Sequence, residues 1–138
     1  MNVLLRQLGE KSFRQDLSFL FSGGIIGFEH CPRFLLVEDE AHDPFRWLVS
    51  LDQSGLRFPV LNPLTVMPEF IRELPGHLVE RLFSSDHMID IFCIATIDGE
   101  TRKVTINLKS PVLIDYRSRM GEQVILPSEH LSVAYPLI

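Results

Sequence analysis

Between Gly23 and Asn62 no apolar run exceeds four residues before a glycine, proline or charged residue interrupts it. A helix needs apolar positions recurring over ten or more residues. Short runs cut by turn-forming residues instead specify short strands joined by tight turns. Phe34–Val37 is one such run, continuous enough for a strand covered on both faces. Arg46–Leu51 is the next strand, closed by Asp52-Gln53-Ser54-Gly55, and Leu56, Phe58 and Val60 then share a strand face. Pro59 cannot donate to a ladder, so an edge or bulge is expected beside it. Glycines 23, 24 and 27 permit positive φ or close backbone approach, with Phe28 following as an anchor. Trp47, the only tryptophan, is expected to carry its large apolar area into the core.

The flanking sequence continues the pattern. Val3-Leu4-Leu5, Gly9-Glu10-Lys11 and then Leu17, Phe19 and Phe21 suit a strand, a turn and a second strand, or a helical turn beginning at Ser12. Pro63, Pro68 and Pro75 exclude a long helix from residues 62–75. His77–Phe83 is predicted as a short helix, with Leu78, Val79, Leu82 and Phe83 on its core face and Glu80 and Arg81 outside. Met88–Ile97 is predicted as a buried strand, Asp98-Gly99 as a hairpin turn, and Val104, Ile106 and Leu108 as the core face of the returning strand. Ser110-Pro111 interrupts that strand before Val112-Leu113-Ile114 resumes it. A turn at residues 117–122, containing Gly121, leads to a last strand at Gln123–Leu126. The expected fold is all-β and mainly antiparallel. It is a small closed or partly open β-barrel-like domain with one or two short helices, a single domain over residues 1–138.

Chemistry is sparse. Catalysis needs a nucleophile, acid or base set against a partner, or a metal cluster. His30, His42, His77, His87 and His130 form no ligand pair at metal-binding spacing, although His30, Cys31 and His42 could meet in space. Cys31 and Cys93 offer no disulfide framework, and Cys93 reads as a small buried hydrophobe. Gly23–Gly27 lacks the lysine and helix of a phosphate cradle. No enzyme activity and no cofactor are expected. A formal net charge of −5 opposes direct nucleic-acid binding, which needs a basic face. No stretch is apolar enough for a membrane-crossing helix, and no secretion leader is recognisable, so the expected compartment is the cytoplasm.

Five motifs in order resemble the FliW family of flagellar assembly factors. They are Phe21 with Gly24-Ile25-Ile26-Gly27-Phe28-Glu29; Phe34–Glu40; Pro44-Phe45-Arg46-Trp47-Leu48; the strand ending Asn62-Pro63; and Thr105-Ile106-Asn107-Leu108 with Ser110-Pro111-Val112. Gly121 with Gln123–Leu126 matches the family's last strand. The resemblance covers about residues 17–138. Ile26 stands where the family usually has proline, and Leu64–Met67 replaces a more aromatic run. The resemblance implies a non-enzymatic barrel that binds CsrA, a small RNA-binding translational repressor, and relieves its silencing of flagellin mRNA. It also implies binding to flagellin, which takes the protein away from the repressor until flagellin is secreted. On its own the protein is expected to be a monomer. The competing readings are a small-ligand-binding barrel, which would need polar residues facing inwards, or another non-enzymatic interaction module.

Two segments are candidate protein-binding sites. In Asn62–Leu74 the apolar Met67, Phe70 and Ile71 lie among Glu69 and Glu73, an apolar anchor ringed by charge. The alternative is that Met67, Phe70 and Ile71 cap one end of the barrel. The second segment is Glu38-Asp39-Glu40 with Asp43, either a contact for a basic partner or a solvated turn.

Overall fold

The computed structural model describes residues 18–86 and 88–137. The strand and turn expected within residues 1–17 lie outside the described residues. The elements are β1 (Ser18–Leu20), β2 (Arg33–Glu38), β3 (Arg46–Ser50), β4 (Arg57–Leu61), α1 (Pro63–Val66), α2 (Gly76–Leu82), β5 (Ile89–Ile97), β6 (Val104–Ile106), β7 (Val112–Asp115), β8 (Met120–Gln123) and β9 (Tyr135–Pro136). Single 3-10 segments occupy Glu40–His42 and Pro68–Glu73.

Seven strands close a barrel in the order β4-β3-β2-β1-β8-β7-β5, and β5 returns to pair with β4. Every seam is antiparallel except β1–β8, a short parallel contact at Leu20 and Met120. The far end of β5 leaves the barrel and pairs with β6, which pairs with β9. Thus β6 and β7 are one returning strand, broken at residues 107–111 as Ser110-Pro111 foretold.

Strand alternation sorts the apolar residues into two compartments. Phe34 and Leu36 of β2, Leu48 of β3, Val60 of β4, Phe92 of β5 and Ile114 of β7 fill the barrel interior with Phe19 and Phe21. These apolar side chains fill the middle of the barrel, and Thr96 is exposed rather than facing inwards. Leu35 and Val37 face the other way and pack with Val49. Trp47 belongs to that outer group, half-buried, and not to the interior. The reason is the period of two: Leu48, wholly buried, faces inwards, so its neighbour Trp47 must face outwards.

The second compartment lies outside β5 and β7. Pro63, Pro68 and Pro75 divide residues 62–75 into short helical turns, and the Asn62 side chain caps the first by accepting from Leu64 N–H at 2.9 Å. Leu61, Phe70, Leu74, Leu78 and Leu82 pack there on Ile91, Cys93 and Leu113. Four sequence expectations are corrected. Phe83, placed on the core face, is 56 % exposed because α2 ends at Leu82 and the chain turns away. Asp98-Gly99 opens a longer loop: the Asp98 carboxylate accepts from Glu100 and Thr101 N–H, and Arg102 takes the positive φ. The strand expected at Gln123–Leu126 is β8, Met120–Gln123, so Gly121 is a strand residue whose missing side chain makes room for the Phe21 ring. Of the early glycines, Gly24 and Gly27 adopt positive φ, whereas Gly23 does not.

Candidate functional site

The two candidate segments leave the barrel at the same end. Register sets Glu38 opposite Arg46, Arg46 opposite Val60, and Val60 opposite Ile94, a single row across four strands. The acidic segment follows Glu38 directly, and Asn62 follows β4. Phe45 joins them, since it packs against the cluster that holds Phe70.

The acidic segment is ordered by its own side chains. Asp39 accepts from Ala41 N–H at 3.1 Å and meets His42 Nδ1 at 2.5 Å. The His42 contact is the main cause holding the Asp39 carboxyl below its usual range. Glu38 pairs with Arg46 at 3.2 Å. Glu40 and Asp43 have no ion-pair partner among the described residues. A cleft of about 370 Å³ opens here, lined by Glu38, Asp39, Glu40, Asp43, Phe45 and Arg46.

The Asn62–Leu74 segment differs from an exposed apolar loop. Phe70 is 1 % exposed and cannot serve as a projecting anchor; 3-10 geometry turns it onto β5 while Glu69 faces solvent. Met67 and Ile71 are half-buried. Glu73 accepts from Ser128 Oγ at 3.2 Å and meets His130 Nε2 at 3.0 Å, which ties the segment to the C-terminal stretch. Phe70 therefore neither projects nor caps the barrel end but packs on the outer face of β5, and Glu69 with the acidic segment remains the outward-facing charge.

Three inward positions at this end carry polar groups that sequence reasoning passed over. Arg46 lies over the Phe92 ring at 5.6 Å from its centroid. Tyr116 donates to Asp90 at 2.7 Å, and burial, then the Asp90 carboxylate, pushes its phenol upward in pKa. Asp90 shares the parity of Phe92 and Ile94, so alternation alone pointed it inwards. These contacts satisfy polar groups at the barrel mouth, and no buried side-chain polar atom is left unpartnered among the described residues.

His30 and Cys31 do not meet His42. The first two precede β2 and approach Gln53, at 3.2 and 3.6 Å, whereas His42 follows β2 at its other end. Among the described residues no group of three His, Cys, Asp or Glu side chains is placed to hold a metal. No helix of the described residues is long and apolar enough to cross a membrane.

The family model of the FliW protein matches residues 3–137. The chain belongs to the FliW family. The match extends through the first residues, beyond the span that the sequence motifs marked. Flagellar assembly factor FliW of Thermotoga neapolitana is 38 % identical over 126 residues, 90 % of this chain and 85 % of that protein. That of Caldicellulosiruptor saccharolyticus is 31 % identical over 136 residues, 98 % and 89 % of the two chains. A crystal structure of the flagellar assembly factor FliW superposes with a TM-score of 0.73 at 26 % identity, covering 91 % of this chain and 89 % of that one. The closed barrel is thus the FliW fold, and FliW proteins are flagellar assembly factors rather than a known enzyme family.

Proposed function

We propose that this chain is a cytoplasmic, non-catalytic regulator that binds and antagonises a CsrA-type translational repressor and also binds flagellin, coupling flagellin synthesis to its secretion. Membership of the FliW family carries the reading, and the acidic barrel end supports it. A repressor must present a basic face to RNA, and opposite charge steers two such proteins together. Docking adds negative potential beside that face and disfavours RNA. Competition for the RNA site is unnecessary, because coupling requires only that the two binding energies interact. Flagellin would act by mass action, withdrawing the regulator as it accumulates. On its own the regulator is a monomer.

The test is repressor affinity for flagellin leader RNA, measured with and without this protein. The expected result is weaker RNA binding in its presence, restored by added flagellin, with no retardation of the RNA by this protein alone. Complex formation should weaken as salt rises, since exposed charges are screened beyond about 10 Å at 0.1 M salt. An unchanged RNA affinity would overturn the reading.

A further inference from the structure

The barrel carries a gap in its wall beside the acidic end. β4 pairs with β5 only at Val60 and Leu61, and the ladder stops at Pro59, which has no N–H to extend it. Beyond that point β5 runs on through Ile97 and pairs with β6 on its other edge. A cleft of about 360 Å³ occupies the divergence, with Phe45, Trp47, Pro59 and Ile97 supplying its apolar lining and Asp39, His42 and Arg57 its polar lining. Ile97 is 52 % exposed, a large aliphatic side chain in water at the end of a strand. Trp47 is half-buried and fixed on both sides: Arg57 lies over its ring at 4.6 Å, and His42 stands edge-on at 5.8 Å. A tryptophan so held is a preformed contact surface with little side-chain freedom left to lose.

This apolar cleft adjoins the acidic one, and the two share Asp39 and Phe45. The acidic cleft sets four carboxylates, Glu38, Asp39, Glu40 and Asp43, against the single guanidinium of Arg46. Glu38 already pairs with Arg46, and Asp39 is engaged by Ala41 N–H and His42, so the carboxylates left open to a partner are Glu40 and Asp43. The two halves together form a surface that is apolar on one side and anionic on the other.

We infer that this double cleft docks a protein segment that carries an aliphatic side chain beside lysine or arginine, the aliphatic group entering between Trp47 and Ile97 and the cation facing Glu40 and Asp43. The inference rests on the proposed function in that the repressor would carry such a segment, but its chemistry can be tested apart from the repressor. Neither half alone selects it. An acidic segment would meet Glu40 and Asp43 with like charge, and a purely polar one would leave Trp47 and Ile97 wet.

Trp47, being the only tryptophan, reports on the cleft directly. The probe is a lysine–leucine pentapeptide free of aromatic residues, titrated while Trp47 emission is recorded, beside a glutamate–leucine counterpart. A saturable change is expected with the basic peptide only. Ile97→Glu and the pair Glu40→Lys with Asp43→Lys should each weaken it at least roughly tenfold, with thermal unfolding near wild type because these side chains are exposed. No saturable change, an equal response to the acidic peptide, or undiminished binding by Ile97→Glu overturns the inference. Emission that shifts with protein concentration alone would assign the cleft to a second copy of this chain and likewise overturn it. A parallel titration with the purified repressor decides the underlying reading. Peptide binding without repressor binding keeps this inference and removes the reading; repressor binding indifferent to Ile97→Glu does the reverse.

Discussion

Two residues show how little of a side chain's role is local. Gly121 lies within β8, and a Cβ there would stand 2.3 Å from the Phe21 ring. Gly121→Ala must push that ring out of a packed interior, and overpacking of this kind costs about 1–3 kcal/mol. Urea unfolding should record that loss, and Phe21→Leu in the same chain should return part of it. Cys93 is wholly buried, and desolvation pushes its thiol up to about 12 from an ordinary value of 9.0. A folded-state value above the unfolded one contributes stability fully present below about pH 9 and lost as pH rises through about 12. Wild type should therefore lose stability faster across that window than Cys93→Ala, with urea midpoints taken at both ends. A slope unchanged in Cys93→Ala would assign the alkaline loss elsewhere. The burial of Cys93 was legible because apolar neighbours flank it on both sides. The role of Gly121 was not, because its reason is a ring 100 positions away in the chain.

The β5–β6 hairpin shows what a sequence signal can mean at the scale of an element. Asp-Gly marked a turn correctly, yet the loop runs through residues 98–103, with Asp98 N–H donating to Lys103 and Arg102 N–H donating to Asp98. The Asp98 carboxylate caps the loop, and the N–H groups of Thr101 and Glu100 hold its carboxyl below the usual range. Arg102 carries φ 60, a conformation that costs an L-residue roughly 1–2 kcal/mol and glycine much less. Arg102→Gly should raise the unfolding free energy by about 0.5–1 kcal/mol, and a loss in its place would mean that the Arg102 side chain stabilises the loop. Strand positions were readable wherever alternation governs, as in β2, where all four apolar residues are buried on two opposite faces. Alternation also fixed Trp47 on the outer face, against the expectation from its size alone. For the candidate site, the acidic segment was legible as charge. Its union with Trp47 and Ile97 was not, because strand register brings them together. Phe70 misled for a related reason: prolines announced an irregular segment, and only the outer face of β5 determines that its aromatic ring is covered.

At the scale of the whole molecule, closure is uneven, and this makes one seam the weakest. β2 and β3 pair through five residues and β5 and β7 through four, whereas β1 meets β8 at a single pair. There Leu20 N–H donates to Arg119 at 2.9 Å, and Arg119 itself takes a positive φ to offer that carbonyl. What holds this seam is side-chain packing more than hydrogen bonding: Phe21, fully buried, rests against Gly121 across it and stands edge-on to Phe34 at 5.4 Å. Local opening follows the regions with fewest backbone bonds and least packing, so the barrel should part first between β1 and β8. Native-state hydrogen exchange should then find the Leu20 amide exchanging well before those of Val49 on the β2–β3 ladder and Leu48 on the β3–β4 ladder. Phe21→Leu should accelerate Leu20 exchange more than it accelerates Leu48, because the ring bridges the seam and β3 does not depend on it. Equal acceleration at both amides would mean that the barrel opens only as one unit. The proposed cleft lies at the other interruption, where Pro59 ends the β4–β5 ladder, so seam opening in Phe21→Leu should leave peptide-induced Trp47 emission unchanged.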